Sequence, residues 1–392
     1  MLRAVAEGVY CVGSVDWLMR DFHSFATPHG VTYNSYLVLD EKIALIDTVK
    51  APFAKELFSN IADISNAEKI DYIIVNHAEP DHASALPLVV QSCKKAKVVC
   101  TKKCQEILSH YHDVSKWEFQ IVKEGDTLSL GKKTLSFIET PMLHWPESMF
   151  TYLKEEKILF SMDAFGQHFS SSLRFDDEVN LCDVMEEAKR YYANVVMPYG
   201  QPVLKALEKI KNIAIRVIAP SHGVIWRKSV ATIVSLYEEW ALFKPQSKIL
   251  VIYDTMWEST KEMAVAIHRG ASIEKVSAHL ISVRSTNMTD IVTEILDAQG
   301  IVFGSANLNQ RVMPFMGMLF TYLKGLKPQK KIGAAFGSYG WGRGAVEEIE
   351  EVLKDLGFET VSPAIKSQWK PTAEILEKCR QLGRNMAEKV KK

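Results

Sequence analysis

The chain has 392 residues, 47% hydrophobic and 24% charged, which is typical of a soluble globular protein and long enough for two domains. Lys+Arg and Asp+Glu both number 47, so a zero formal charge argues against a nucleic-acid binder or an anionic-membrane binder. No apolar run approaches the roughly 20 residues that span a bilayer, and the N-terminus lacks a signal-peptide pattern. The six cysteines include no Cys-x-x-Cys pair, so we expect a cytoplasmic protein with reduced thiols.

The first part of the chain, to about residue 245, mixes short strand-like runs with helical patterns. Adjacent β runs, such as 34–39 and 43–47, predict sheets packed on each other with helices outside. The helical pattern from Val230 to Phe243 ends at Lys244-Pro245-Gln246-Ser247, and proline after a helix indicates a stop and a linker. The sequence therefore predicts a first domain over residues 1–245.

Residues 77–82 of this domain read His-Ala-Glu-Pro-Asp-His and follow the strand-like run Asp71–Val75. A helix-like stretch, 83–90, comes next, so these side chains are predicted on a loop at the carboxyl edge of a strand. His77 and Glu79 are two residues apart and point the same way on an extended backbone. Two pairs, each of one imidazole and one carboxylate, suit two metals better than they suit a solvated polar turn.

Three more candidate ligands follow other apolar strand-like runs, at His144, Asp163 and His222. A lone histidine at such a place is more often a hydrogen-bonded structural residue, but three placements of the same kind favour ligands. The predicted metal ligands are His77, Glu79, Asp81, His82, His144, Asp163 and His222.

The composition of this ligand set indicates which metal it holds. If Asp163 bridges, each metal receives two histidines, one terminal carboxylate and the bridge. Mixed ligation with open positions suits iron and oxygen chemistry. Glu79 stands where a zinc hydrolase more often has histidine and favours higher oxidation states, although zinc also accepts carboxylates.

From Lys248 onward, strand-like runs alternate with helical patterns. The predicted strands are 248–253, 276–283, 301–304 and 331–336, and the predicted helices are 259–270, 289–298, 314–323, 344–356 and 372–390. This alternation predicts a doubly wound parallel sheet in a second domain over residues 248–392.

Three loops follow three of these strands. Loop 254–260 offers hydroxyls and the N–H groups of a helix N-terminus to a phosphate. ATP is not expected, because the loop contains no Walker sequence. Loop 304–309 comes second, and loop 337–344 carries four glycines and two aromatic residues that can pack on a planar ligand. One such loop alone is most simply an ordinary helix cap, but three such loops at strand ends predict a bound mononucleotide. A dinucleotide is not expected, because no Gly-x-Gly-x-x-Gly sequence follows the first strand.

FMN is therefore the predicted nucleotide. The predicted FMN-binding residues are Thr255, Met256, Trp257, Ser259, Thr260, Ala306, Asn307, Asn309, Ser338, Tyr339, Gly340, Trp341 and Gly342.

Taken together, these motifs closely resemble the flavodiiron proteins, also called A-type flavoproteins, over nearly all of residues 1–392. The resemblance rests on segments 15–17, 32–36, 76–82, 142–146, 163–168, 219–223, 253–257 and 336–341. It implies an α/β chain in which an N-terminal αββα metallo-β-lactamase-like sandwich precedes a C-terminal flavodoxin-like doubly wound parallel sheet.

The resemblance also implies roles for individual residues. One iron would bind His77, Glu79 and His144, the other would bind Asp81, His82 and His222, and Asp163 would bridge them. His23 and Tyr191 would line the substrate pocket as catalytic residues. The alternatives are that both are ordinary polar core residues, or that the neighbouring Tyr192 takes the place of Tyr191. His168 and His29 are expected beside the site or on the surface rather than on metal.

One flavin loop departs from the family pattern. Ser305-Ala306-Asn307 stands where family members usually have Ser-Pro-Thr. Asn307 can still donate and accept hydrogen bonds, so FMN binding is expected to survive with an altered affinity or potential.

The implied reaction is reduction of O2 to water or of NO to N2O at a non-haem diiron site fed by FMN, and the sequence leaves the choice of gas open. Because no further electron-transfer module follows the flavodoxin-like part, a separate donor is expected: rubredoxin, a reduced deazaflavin or another reductase. The resemblance implies a head-to-tail homodimer, or a dimer of dimers, that places one subunit's flavin beside the other's irons. No nucleic-acid or membrane partner is expected.

Two rival functions remain. The first is a binuclear zinc hydrolase that carries a flavodoxin-like module, and Glu79 together with three intact flavin loops counts against it. The second is an electron carrier with a relict metal site, which the presence of all seven ligands disfavours. The metal content of the protein would discriminate between these functions.

Overall fold

The structure is a computed structural model that describes residues 3–273 and 275–391. Backbone contacts divide the chain into two compact units: residues up to Tyr192 with Tyr199–Glu238, and Ala193–Pro198 with the chain from Glu239 onward. The domain boundary at residues 245–248 stays a prediction. Gln246 and Ser247, expected in the linker, instead begin the strand Gln246–Asp254, because Gln246 already pairs with the neighbouring strand at Ala298.

The described part of the first unit is built on two mixed sheets. In spatial order, the seven-stranded sheet contains Arg3–Ala6, Val9–Cys11, Tyr36–Val38, Ile43–Ile46, Ile70–Ile74, Lys97–Cys100 and Phe119–Ile121. The five-stranded sheet contains Thr127–Ser129, Thr134–Glu139, Met149–Leu153, Ile158–Phe160 and Val217–Ala219. Two short ribbons pair Ser14–Asp16 with Val31–Tyr33 and Asp21–Phe22 with Phe25–Ala26.

Helices and helical turns connect these strands. The α-helices up to residue 241 are Ala54–Ala62, Pro80–Ala83, Leu86–Ser92, Lys102–Tyr111, Leu181–Tyr191, Gly200–Ile210 and Val230–Ala241. The 3-10 turns are Ala51–Phe53, Ala67–Lys69 and Met197–Tyr199, and a π-helix covers Tyr192–Val196.

Both faces of the seven-stranded sheet are apolar. Successive side chains of a strand point to opposite faces, so neighbouring residues show what covers each face. Leu37 belongs to a buried cluster that includes Leu57 of a flanking helix. Its neighbours Tyr36 and Val38 belong to a second cluster that includes Phe137 of the five-stranded sheet. Helices therefore cover one face and the second sheet covers the other, which confirms the predicted αββα sandwich.

The second unit is a parallel sheet with helices, as predicted. Its strands in spatial order are Ser277–Ser282, Gln246–Asp254, Ala298–Ala306, Ile332–Tyr339 and Glu359–Thr360, and Ile365–Gln368 also pairs with Ile332–Tyr339. Every pair in this sheet is parallel. Its α-helices are Ser259–Ala271, Met288–Asp297, Pro314–Leu326, Ala345–Asp355 and Ala373–Lys391.

The order of these strands determines where a ligand can bind. The first strand, Gln246–Asp254, lies between the second and the third, so the chain winds in opposite directions on its two sides. In doubly wound sheets, ligands bind at the carboxyl ends of the strands beside this reversal. The predicted flavin loops leave the sheet at that edge. None of the described helices combines the length and apolar character needed to cross a membrane.

Gly223 follows the predicted ligand His222 in a backbone conformation that only glycine adopts freely, with φ of +81°. A Cβ atom there would overlap both the side chain and the carbonyl oxygen of Gln167. Gly125 has nearly the same φ, +82°, but no atom lies within 4 Å of the position of its Cβ. Substitutions at the two glycines therefore distinguish the cost of a positive φ from the cost of steric overlap.

We predict that Gly223→Ala lowers the free energy of unfolding by about 3 kcal/mol or more, because overlap in a packed region adds to the cost of positive φ. Gly125→Ala should cost only about 1 kcal/mol. Urea denaturation followed by circular dichroism would measure both, and equal losses would show that Gln167 can move aside.

Candidate metal centre and flavin site

Four strand ends carry the predicted metal ligands. Thr134–Glu139, Ile158–Phe160 and Val217–Ala219 run in the same direction within the five-stranded sheet, so their carboxyl ends share one edge. The strand Ile70–Ile74 of the other sheet leads into residues 77–82. The loops that leave the five-stranded sheet at its shared edge carry His144, Asp163 and His222.

Part of the first ligand cluster is helical, where a loop was predicted. Asp81 and His82 lie in the short helix Pro80–Ala83. Proline suits the first position of a helix, since its φ is already helical and no N–H is needed there. A second helix, Leu86–Ser92, begins after a break, so the single helical stretch predicted over 83–90 was wrong.

All seven predicted ligands converge in two groups. One ligand atom from each member lies within 4.8 Å of the others in its group. The groups are His77, Glu79, His144 and Asp163, and Asp81, His82 and His222. These are the two sets inferred from the family resemblance, with Asp163 among the first.

Asp163 lies between the two groups and turns one oxygen to each. Its Oδ2 is 2.9 Å from His144 Nε2 and 3.6 Å from His77 Nε2. Its Oδ1 is 2.9 Å from His82 Nε2 and 3.4 Å from His222 Nε2. A carboxylate that bridges two metals has this arrangement, with one oxygen for each ion.

Several of the described ligand atoms are left without a hydrogen-bond partner and face a common centre. Asp81 Oδ1, His82 Nε2 and Asp163 Oδ1 are buried without a hydrogen-bond partner among the described residues. His82 Nε2 nevertheless lies 2.9 Å from Asp163 Oδ1, so the two atoms are close but not aligned for a hydrogen bond. Ligands about 2.1 Å from one ion are about 3 Å apart in octahedral geometry. The residues therefore fit a pair of metal ions.

The carboxylates of the site favour cations, either protons on the imidazoles or metal ions that replace them. Burial opposes the ionised form of Asp163, but His82, His144 and His77 outweigh it and hold the pKa of this carboxyl well below its usual value. Burial lowers the pKa of His82, whereas Asp81 and Asp163 raise it to about 9. The central carboxylate is thus ionised at physiological pH, which is the form that binds metal.

Two of the imidazoles are oriented by acceptors on their outer side. His77 Nδ1 donates to Glu147 Oε1 at 2.8 Å, and both side chains are fully buried. His222 Nδ1 donates to the backbone oxygen of Thr32 at 2.6 Å. Sequence reasoning missed Glu147, and its only signal was its place three residues after His144 in a loop already singled out.

The two predicted pocket residues lie beside the ligands. His23 occupies the turn of the hairpin formed by Asp21–Phe22 and Phe25–Ala26, where His23 and Ser24 both have positive φ. His23 Nε2 is 3.6 Å from Glu79 Oε1, and 63% of the His23 side chain is exposed. The hairpin therefore holds this imidazole at the solvent side of the centre.

The structure distinguishes Tyr191 from its neighbour. The Tyr191 ring lies 4.9 Å from His168 and 6.1 Å from His222, whereas Tyr192 packs on Tyr237 at 5.0 Å. Of these two neighbours, Tyr191 is therefore the one that lies beside a predicted ligand. His168 is buried beside the ligand His222, with ring centroids 5.4 Å apart.

His29 lies apart from the ligands. Its side chain is 46% exposed and its ring packs on Phe169.

The three flavin loops are joined by hydrogen bonds. Thr260 Oγ1 of the first loop lies 2.7 Å from Ser338 Oγ of the third. Asn307 of the second loop donates from its backbone to the Ser338 oxygen and from its side chain to the Gly342 oxygen. Asn307 Oδ1 also accepts from the backbone N–H of Ala345. The unusual asparagine therefore holds the third loop in place.

A planar ligand with a phosphate fits this edge of the sheet. Thr255 Oγ1 is buried without a partner among the described residues, next to the N-terminus of the helix Ser259–Ala271. Trp257 is 85% exposed and Trp341 is 92% exposed. Trp369, which sequence reasoning missed, lies 5.9 Å from Trp341.

The other predicted flavin residues occupy the same loops. Ser259 begins the helix, Met256 and Asn309 are exposed, and Ala306 is buried at a strand end. Tyr339 and Gly340 are partly exposed, and a Cβ on Gly340 would meet the Trp369 ring at 2.8 Å. A larger residue at position 340 would therefore displace the Trp369 ring.

Comparison with known proteins covers both units. The family model described as ODP family beta lactamase matches residues 31–223, and that described as Flavodoxin matches residues 251–383. The chain is 44% identical to the nitric oxide reductase of Moorella thermoacetica over 392 residues, which cover 99% of this chain and 98% of that protein.

Solved structures with the same fold extend over the whole chain. The rubredoxin:oxygen oxidoreductase of Desulfovibrio gigas matches with a TM-score of 0.97 and 38% identity, covering 100% of this chain and 99% of that one. The flavodiiron protein of Giardia intestinalis matches with a TM-score of 0.96 and 37% identity, covering 100% and 97%.

Burial, followed by the charge of His222, lowers the pKa of His168 to about 3. An unfolded histidine titrates near 6.5, so between these values the unfolded chain binds a proton that the folded chain does not. Stability should therefore fall as the pH falls through this window. We predict that, between pH 7 and pH 5, the wild type loses about 2 kcal/mol more stability than His168→Gln.

Urea denaturation of the metal-free proteins at the two pH values would measure this difference. Exposed His110→Gln is the control and should follow the wild type. Parallel losses in wild type and His168→Gln would contradict the prediction.

We predict that Thr255→Ala weakens FMN binding about tenfold or more, because a hydrogen bond to a charged phosphate contributes about 1.5–3 kcal/mol. Fluorescence titration of the flavin-free protein with FMN would measure the affinity. Thr321→Ala removes an exposed hydroxyl that bonds within its own helix and should leave the affinity unchanged. An unchanged FMN affinity in Thr255→Ala would show that this hydroxyl does not contact the phosphate.

Proposed function

Because this chain belongs to the flavodiiron protein family, we propose that it reduces O2 to water or NO to N2O at a diiron centre fed by FMN. The chain is an oxidoreductase, and its cofactors are FMN and two non-haem iron ions. When bound, the irons and the flavin supply the electrons that reduction of the gas requires. The names of its relatives include both a nitric oxide reductase and an oxygen oxidoreductase.

The position of Glu79 is the observation that carries this proposal. Glu79 Oε2 lies 3.1 Å from His77 Nε2 and 3.3 Å from His144 Nε2, so an anionic oxygen completes the first group. Burial opposes its charge, but hydrogen bonds from His144 and His77 outweigh burial and lower its pKa. Each metal position then has two imidazoles, its own carboxylate and a share of Asp163. Such mixed nitrogen and oxygen ligation with open positions suits iron.

The chain's own residues divide the remaining tasks. The first iron position consists of His77, Glu79 and His144, the second consists of Asp81, His82 and His222, and Asp163 joins them. His23 Nε2 lies at the solvent side, 3.6 Å from Glu79 Oε1, where the ring can hydrogen-bond to water and to a substrate in the pocket. Burial and the charges of Asp163 and Glu79 raise the pKa of Tyr191 well above its usual value, so its hydroxyl keeps its proton at physiological pH.

Aromatic side chains restrict water on one side of the centre. Phe22 packs on His168 and His222, with ring centroids 5.0 and 6.2 Å apart. Tyr191 completes this wall against His168. A small apolar gas enters such surroundings at little cost, whereas water loses hydrogen bonds.

Exposed aromatic residues support a homodimer. In the second unit Trp257 and Trp341 are almost fully exposed, and in the first unit Trp17 is 51% and Leu18 is 87% exposed, shortly before the hairpin of His23. Exposed apolar side chains that lie together can form a surface that a partner covers. A head-to-tail homodimer, or a dimer of such dimers, would cover both sets and bring one subunit's flavin to the other's irons.

The proposed setting is cytoplasmic, with a separate electron donor. Rubredoxin, a reduced deazaflavin and another reductase are the candidate donors. Nucleic acid and membrane have no part in the proposal.

Stopped-flow oxidation of the fully reduced protein tests the proposal and decides between the gases. Fast oxidation by O2 without peroxide, and slow oxidation by NO, would identify an oxygen reductase. Fast oxidation by NO with N2O as the product would identify a nitric oxide reductase. Slow oxidation by both gases, or accumulation of peroxide, would leave the flavin alone as the reacting group and overturn the proposal.

We predict that Glu79→Ala abolishes gas turnover while FMN content stays unchanged, because the substitution removes one anionic ligand of the first iron and leaves the second unit intact. Metal analysis, flavin absorbance and turnover would be measured on the same preparation. Glu208→Ala changes a glutamate with a side chain 73% exposed and should behave as the wild type. Unchanged turnover in Glu79→Ala, or two zinc ions with hydrolase activity in the wild type, would contradict the iron assignment.

A further inference from the structure

Glu147 is a buried carboxylate that is not one of the predicted metal ligands. It contacts the loop that carries the ligands His77 and Glu79. Its Oε1 accepts from His77 Nδ1 at 2.8 Å and from the backbone N–H of Ala78 at 2.9 Å. Ala78 stands between His77 and Glu79 in the sequence. One carboxylate oxygen therefore holds both the ring of His77 and the backbone that leads to Glu79.

This contact determines which ring nitrogen of His77 is free. Glu147 Oε1 can only accept, so the proton of a neutral His77 lies on Nδ1 and the lone pair of Nε2 points to the centre. His77 Nε2 is the atom that faces Glu79 and Asp163. A carboxylate acceptor also makes the imidazole a stronger donor to metal than a neutral acceptor does.

Glu147 also joins two loops of the same metal position. It lies in the loop that carries His144, and its backbone oxygen accepts from Thr101 Oγ1 at 3.1 Å. Thr101 in turn caps the helix Lys102–Tyr111. The side chain of Glu147 reaches from this anchored loop to His77, so one residue ties the ligands of the first group together.

The second metal position has a weaker device of the same kind. His222 Nδ1 donates to the backbone oxygen of Thr32, which carries no formal charge. Both contacts orient an imidazole, but only His77 gains an anionic acceptor. His77 of the first position and His222 of the second therefore differ in how firmly they are held and how strongly they donate to metal.

We propose that Glu147 is a positioning residue that makes the position of His77, Glu79 and His144 hold its ion more tightly than the position of Asp81, His82 and His222. The inference rests on the proposed function, in which both groups bind iron. Loss of such an outer acceptor typically costs about 10–100-fold in metal affinity.

The test measures release of Fe²⁺ to an excess of a chromogenic ferrous chelator under anaerobic conditions. His222→Ala confines tight binding to the first position, and His144→Ala confines it to the second. Adding Glu147→Gln, which keeps the shape but removes the charge, should speed release about tenfold in the His222→Ala background. The same substitution should leave the rate unchanged in the His144→Ala background.

Two further variants separate positioning from general disturbance. In the His222→Ala background, Thr32→Val removes a buried hydroxyl that accepts from Gly223 N, beside the second position, so it should not speed release from the first position. Glu147→Asp keeps the charge and should release Fe²⁺ more slowly than Glu147→Gln does. Circular dichroism of the metal-free proteins establishes that each variant is folded.

Faster release in both backgrounds, or in neither, would overturn the proposal. If the wild type retains zinc but no iron, the proposed function fails, and the same comparison of release rates with Zn²⁺ and a zinc-sensitive dye still decides the role of Glu147. A tenfold effect confined to the first position would support the proposal with either ion.

Discussion

Four imidazoles and three carboxylates share one largely buried space in the first unit, and the sheets and loops of that unit hold them there. Removing a carboxylate from water is unfavourable unless opposite charge or hydrogen bonds compensate. Asp163 is almost fully buried, yet each of its oxygens faces imidazoles of a different group. Metal ions satisfy the same atoms with greater charge, which explains why the geometry suits two of them.

The sandwich provides the rigidity that this site requires. Ligands leave both sheets at strand ends whose positions are set by buried apolar faces, and outer contacts then orient the side chains. Asn76, directly before His77, donates its backbone and side-chain N–H groups to the buried Asp47 carboxylate. The loop of His77 is therefore anchored at Asp47 on one side and at Glu147 on the other. In the second unit, Asn307 and Ser338 join the flavin loops in a similar way.

Most elements were predictable because their signals are local. Continuous apolar runs and alternating patterns predicted many strands of both units to within a few residues, but they missed others, such as Met149–Leu153 and Ile365–Gln368. Other errors lay at element ends: the first strand of the second unit begins at Gln246, and Pro80 starts a helix that includes two ligands. In both cases pairing or packing with distant segments decided how far an element extends, and a local pattern does not contain that information.

The sequence by itself determined the chemistry of this protein: the types of the seven ligands, the exits of the strands that carry them, and three loops suited to a flavin. Tertiary structure decided which groups meet. Tyr191 and Tyr192 differ by about 100° around a helix, so only packing selects Tyr191 for the site. Glu147 and His77 are 70 residues apart and meet because their loops leave different sheets at one edge. Such contacts depend on how the two sheets pack, which the spacing of residues along the chain does not specify.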